Sequence, residues 1–216
     1  MEEHLITTNF TARYYTLGEI TKDPLQEVWV VLHGYGQLAQ YFIRKFEPLL
    51  QNNAWVVAPE GLSLFYLQGT EGRVGATWMT REFRERAIEN YTTYLEKLYC
   101  RLELRNRRVV LFSFSQGGAT LLRWVVKHRP AFHKMIVWAG GFPADVDPIA
   151  SREIFTDKVL FYVYGDQDQY ITADRMVEQK LLFDKFGFHP QIIRFGGGHS
   201  VDPSVLRQLQ QKNRPE

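Results

Sequence analysis

This chain is expected to adopt an α/β fold, a mostly parallel central sheet with helices on both faces, as one domain over residues 1–216. Two observations carry that expectation. Runs such as VWVVL (Val28 to Leu32) are apolar at every position rather than at alternate ones, as in strands buried on both faces. Amphipathic helical stretches separate these runs, and alternation of buried strands with helices is the pattern of a parallel sheet covered from two sides.

The elements follow in order. FTARYYTL alternates more and reads as an antiparallel edge strand, and VWVVL and AWVVA (Ala54 to Ala58) read as buried strands. Glu60 to Thr80, EGLSLFYLQGTEGRVGATWMT, lacks a period. It is long, glycine-punctuated and aromatic, and it leaves the carboxyl end of a strand. An irregular loop on the ligand edge is expected there, its Leu62, Phe65, Leu67 and Trp78 either lining a site or tucked into the core. Phe83, Ala87, Tyr91, Leu95, Leu98 and Leu102 share one stripe, so a helix should run from about Arg81 to Leu102. RLELRNRR (Arg101 to Arg108), the most basic stretch, reads as cations at that helix's C-terminus. After the strand RVVLF (Arg108 to Phe112), a helix should run from Ser115 to about His128, where Lys127, His128 and Arg129 gather and Pro130 stops it. KMIVWA (Lys134 to Ala139) and VLFYVY (Val159 to Tyr164) are further strands, and QIIRF (Gln191 to Phe195) is a weaker one. Thr172 can cap a helix ending at Gly187, and Asp202 with Pro203 can open a last helix to about Gln211.

Composition narrows the function. Hydrophobic residues make up 45% and charged ones 23%, an ordinary globular balance. Net charge is +2 with the signs interspersed, and there is no basic tail or arginine–aromatic ladder, so no nucleic-acid partner is expected. The apolar runs are too short to span a bilayer, and MEEHLITTNF does not read as a secretory signal. A single cysteine, Cys100, rules out an internal disulfide and fits a reducing, cytoplasmic setting. No Walker loop, G-x-G-x-x-G stretch or cysteine cluster is present, so neither cofactor nor metal is expected, and a metal held by His33, Asp168 and His199 is the weaker reading. A homodimer through exposed aromatics is compatible with the sequence.

Ligand sites on such sheets lie at the carboxyl ends of the strands, and four polar motifs fall there: HGYG (His33 to Gly36), SFSQGG (Ser113 to Gly118), GDQDQY (Gly165 to Tyr170) and GGGHSVDP (Gly196 to Pro203). Serine, then acid, then histidine is the chain order of triads on this type of sheet. Ser115 lies between a strand and a helix, where a nucleophile needs a tight turn and small residues at its flanks. Gly117 supplies one of them, and Ser113 stands where the G-x-S-x-G pattern has its first glycine. The alternative is that Ser115 only caps the helix. His199, after three glycines, can accept the serine proton and pass it to the leaving group. Asp166 and Asp168 both qualify by location as the orienting acid; Asp168 is preferred, with Asp166 accepting loop N–H groups. The N–H groups of Tyr35 and Gln116 would form an oxyanion hole, which leaves His33 a structural part.

HGYG, FSQGG, GDQD and GGGH, in this order and at these separations, resemble the phospholipase/carboxylesterase family of α/β-hydrolases over about Val28 to Leu209. That family includes acyl-protein thioesterases and small bacterial carboxylesterases. The resemblance implies an α/β-hydrolase fold with Ser115 as nucleophile, Asp168 as acid and His199 as base, and a size of 216 residues leaves little room for a large lid domain. It also implies that Trp78 of GATWMT lies near the acyl groove and that Phe142 of WAGGFP faces substrate; Leu67 of the aromatic segment is the third substrate-binding candidate. Two features depart from the family: Ser113, and the stretch LSLFYLQGTEGRVGA. The expected function is a serine hydrolase that cleaves small carboxylic esters or thioesters through an acyl-enzyme. The alternative is a catalytically silent ligand-binding protein on a hydrolase fold.

Overall fold

A computed structural model describes residues 1–212, apart from the side chains of Ile149 and Ala150. The last four residues of the expected 1–216 domain lie outside the described residues. The elements are β1 (Tyr14–Leu17), β2 (Glu27–Leu32), α1 (Ala39–Phe42, continued by a 3-10 helix over Ile43–Asn52), β3 (Trp55–Pro59), β4 (Ser63–Tyr66), β5 (Val74–Thr77), α2 (Arg84–Arg101), β6 (Arg108–Phe114), α3 (Gln116–His128), β7 (Lys134–Trp138), α4 (Pro148–Phe155), β8 (Val159–Gly165), α5 (Ala173–Phe186), β9 (Gln191–Phe195) and α6 (Pro203–Gln211).

Seven strands form one sheet in the order β1-β3-β2-β6-β7-β8-β9. Every pairing is parallel except that of β1 with β3, which is antiparallel, so FTARYYTL does supply an antiparallel edge. Every residue of β2, β3 and β7 is buried. Successive strand residues point to opposite faces, so both faces of the sheet are covered. The helices fall into two contacting groups: α2, α3, α4 and α5 in one, the 3-10 segment and α6 in the other.

The caps fall where the sequence put them. Thr172 Oγ1 accepts from Arg175 N at 3.3 Å, α5 ends on Gly187 at φ 64°, and Asp202 accepts from Ser204 N and Val205 N. The basic stretch divides: Arg101 closes α2, Arg107 donates to Thr21 O at 2.8 Å, and Arg108 lies 3.6 Å from Glu27.

Two expectations change, and some helical segments were not anticipated. Phe83 leaves the α2 stripe; it precedes the helix at φ 53° and is half exposed, while Tyr91, Leu95 and Leu98 carry the buried face. The aperiodic segment after β3 is an antiparallel hairpin, β4 with β5, joined back to the HGYG turn by Gly36 N–H to Ala76 O (2.9 Å) and Ala76 N–H to Gln37 O (3.3 Å). The helical segments α1, its 3-10 extension and α4 were not among the expected elements, although Ile43, Phe46 and Leu49 form a buried stripe on the 3-10 segment.

Candidate active site

The chemistry-bearing loops meet at the carboxyl ends of β2, β6, β8 and β9. Ser115 sits between β6 and α3 at φ 53°, ψ −118°, a conformation that costs a non-glycine residue about 1–3 kcal/mol. Its surroundings hold it there. Ser115 N–H donates to Trp138 O and Gly118 N–H donates to Ser115 O, both at 2.9 Å. The sharp turn also brings α3 hard against β2: a Cβ on Gly117 would stand 2.7 Å from Leu32 O and 2.9 Å from His33 O, both immovable backbone. The serine that replaces the pattern's first glycine fits. Ser113 is fully buried, with its hydroxyl 3.5 Å from Ile136 O. Among the described residues, Ser115 Oγ makes no hydrogen bond within the protein.

Asp168 and His199 are brought together by the β8 and β9 loops. Gln167 N–H donates to Gly197 O and Asp166 N–H to Phe195 O, both at 2.9 Å, which ties the two loops edge to edge. His199 Nδ1 lies 2.7 Å from Asp168 Oδ2, and the Asp168 side chain is fully buried. A carboxylate can only accept, so Nδ1 carries the proton and Nε2 keeps its lone pair. Asp168 Oδ1 is separately engaged by Tyr170 N–H at 2.9 Å. The imidazole is held between two rings, Phe114 and Tyr170, each 4.7 Å away. Phe114 immediately precedes Ser115, so the same contact links the histidine loop to the serine turn. The other aspartate of GDQD is an exposed loop brace: Asp166 Oδ1 accepts from Gly197 N–H at 3.1 Å.

The HGYG turn packs against the serine, with the Gly34 backbone beside it: a Cβ at Gly34 would meet Ser115 Cβ at 3.2 Å. Neither Tyr35 nor Gln116 uses its N–H in a backbone hydrogen bond among the described residues, and Gln116 opens α3, where N–H groups have no helical partner. His33 is fully buried, with its Nε2 accepting from Gly61 N–H at 2.9 Å and its Nδ1 donating to Gly34 O at 2.7 Å. Burial pushes the imidazole down to about 4.

That shift has a consequence for stability. Above the unfolded-state value of about 6.5, His33 is neutral in both states and stability is full. As pH falls from there toward 4, the unfolded chain takes up a proton that the folded one refuses, and up to about 3 kcal/mol of stability is lost. Urea midpoints recorded across that range are expected to fall steeply for the wild type and less for His33→Gln. Equal slopes would remove His33 as the cause.

Sequence reasoning missed the side chain of Gln116. Its Oε1 accepts from Trp78 N–H (3.2 Å) and lies 3.1 Å from Thr77 Oγ1, while its Nε2 donates to Met79 O (3.0 Å). The segment after β5 is thereby clamped to the residue that follows Ser115. A long polar side chain inside an otherwise small-residue turn was the available signal.

Of the substrate-binding candidates, Leu67 is partly exposed and lines a cavity beside Gly36. Trp78 and Phe142 are both buried. Trp78 is 1% exposed, stacked on His33 with ring centres 4.9 Å apart, its indole N–H donating to His33 O. Phe142 is buried among Phe183, Phe186 and Phe188.

A mostly parallel sheet with a strained serine between strand and helix, and an acid–histidine pair at neighbouring strand ends, is an α/β-hydrolase architecture. Solved structures share it: a carboxylesterase from Mesorhizobium loti (16% identical, covering 91% of this chain and 93% of that one, TM-score 0.69), the Bacillus cereus carboxylesterase (14%, 94% and 93%, 0.65) and acyl-protein thioesterase 2 of Zea mays (14%, 93% and 97%, 0.65). At these identities the likeness is one of fold. The chain belongs to the phospholipase/carboxylesterase family, whose model matches residues 19–212, and is by that membership a hydrolase of ester bonds. No curated protein matches it significantly in sequence. Among the described residues no helix is long and apolar enough to cross a membrane.

Proposed function

We propose that the protein cleaves carboxylic esters or thioesters through an acyl-enzyme on Ser115, with His199 as base and Asp168 as the acid that orients it. The observation that carries the proposal is a strained Ser115 turn whose preceding residue, Phe114, packs on the imidazole of a His199–Asp168 pair joined at 2.7 Å. A serine that merely capped a helix would need no such backbone, and Ser115 makes no side-chain capping bond.

His199 Nε2 takes the Oγ proton as the oxygen attacks the carbonyl carbon. The N–H groups of Tyr35 and Gln116 receive the negative charge that develops on the carbonyl oxygen. Collapse expels the alcohol or thiol, which leaves with the proton from His199. Water then attacks the acyl-enzyme, His199 takes its proton, and the acid departs as that proton returns to Ser115. The exposed free thiol of Cys100 suits a reducing, cytoplasmic setting.

A fluorophosphonate probe should modify Ser115 and no other serine, located by peptide mass spectrometry. Failure to label would turn the reading toward a silent binding protein on this fold. In the same scheme the Gln116 side chain is a positioning group. Gln116→Met removes its hydrogen bonds at similar bulk, and kcat should fall about tenfold with KM nearly unchanged. A fall carried by KM alone would assign Gln116 to substrate binding instead.

A further inference from the structure

We propose that the cavity beside the HGYG turn receives an anionic group, so that the ester cleaved here carries a carboxylate or phosphate on one of its arms. The inference rests on the catalytic reading of Ser115 given above.

The cavity measures about 680 Å³ and opens between α1 with its 3-10 extension on one side and the β4–β5 hairpin on the other. It adjoins the HGYG turn. Gly36 and Gln37 line it, and the Gln37 carboxamide oxygen accepts from Gly34 N–H at 2.8 Å. That oxygen and Ser115 Cβ both lie within 3.3 Å of the place a Gly34 side chain would occupy. Tyr35, whose N–H is proposed to hold the substrate carbonyl, is followed directly by Gly36 of the cavity wall. Phe42 and Leu67 give it apolar surface.

Its charge is one-sided. Lys45, from the 3-10 segment, and Arg73, from the hairpin, line opposite walls, and no aspartate or glutamate lines it. Among the described residues neither cation takes part in an ion pair or a side-chain hydrogen bond. By contrast Arg13 pairs with Glu60, and Arg84 and Arg123 both pair with Asp145. The neighbouring Arg44 lies over the Tyr41 ring at 5.6 Å. Two unneutralised cations facing one partly apolar void repel each other when it is empty, and both gain when an anion enters. A short carbon chain ending in an anionic oxygen group meets both surfaces.

The test compares matched ester pairs on the purified protein. For the acyl arm these are p-nitrophenyl hemiglutarate and p-nitrophenyl hexanoate. For the alcohol arm they are 4-acetoxybenzoate and 4-acetoxybenzamide, with 4-acetoxyphenyl phosphate separating phosphate from carboxylate. In at least one arm the anionic ester should have the higher kcat/KM, by about tenfold, the size of one charge-assisted contact at a partly solvated site. Lys45→Ala and Arg73→Ala should each shrink that ratio, and the double variant should bring it near one. Added salt should shrink it too. A ratio near one in every arm, or a preference that survives the double variant, overturns the proposal. Calorimetric titration with glutarate and with inorganic phosphate reads the cavity without turnover. Were no ester of either kind hydrolysed, the catalytic reading would fall. Binding abolished in the double variant would then still sustain the anion site, and absence of binding would end it.

Discussion

Ser115→Ala is expected to lower kcat/KM on any ester the protein turns over by at least about 10⁴-fold, with the fold intact. The size follows from what the change removes. Without Oγ no acyl-enzyme forms, and only the residual catalysis of an oxyanion hole and a bound substrate remains. The fold should survive because the backbone at φ 53°, ψ −118° is held by bonds that alanine retains: its own N–H to Trp138 O and its carbonyl from Gly118 N–H. The Oγ makes no hydrogen bond among the described residues, so its loss leaves no buried group unpaired. Thermal melts should therefore coincide within a few degrees while turnover disappears and fluorophosphonate labelling is lost. Turnover retained within tenfold would remove Ser115 from the chemistry, whatever its backbone angles.

The sheet was legible because β2, β3, β6, β7 and β8 are buried almost throughout, and complete burial writes a continuous apolar run into the chain. Position at the ends of those runs then singled out Ser115 and Asp168 as candidates, and His199 followed the weaker β9 run. The β4–β5 hairpin was not legible for the opposite reason. Leu64 and Tyr66 of β4 are exposed, and β5 is held both by its pairing with β4 and by hydrogen bonds to Gly36 and Gln37, some forty positions earlier in the chain. With no residue of β4 buried, no apolar face writes an alternation into that stretch of sequence. The same holds for side chains near the site. Trp78 and Leu67 are both apolar residues of one aromatic segment, and composition cannot say which will stack on His33 and which will face a cavity. Ser113 shows where a rule of pattern yields to volume: its small hydroxyl fits the buried corner, and the turn forms without the expected glycine.

The two aspartates of GDQD offer the sharper division. Asp168→Asn should lower kcat by about 10⁴-fold, whereas Asp166→Asn should change it by no more than about twofold. The geometry around Asp168 forces the result. Its Oδ1 accepts from Tyr170 N–H, so an asparagine there must keep its carbonyl oxygen on that side and turn its NH₂ toward His199. A donor facing Nδ1 makes that nitrogen an acceptor and moves the imidazole proton to Nε2, where it blocks acceptance of the Ser115 proton. The substitution changes no volume and leaves the Tyr170 bond in place, so the loss should appear in kcat with little change in the melt. Asp166 is under no such constraint. It is exposed, and its one role at the site, accepting from Gly197 N–H, can be met by an amide oxygen. Measuring both variants side by side on one ester decides the assignment: a collapse in Asp166→Asn with activity kept in Asp168→Asn would mean that the 2.7 Å contact to His199 does not orient the base.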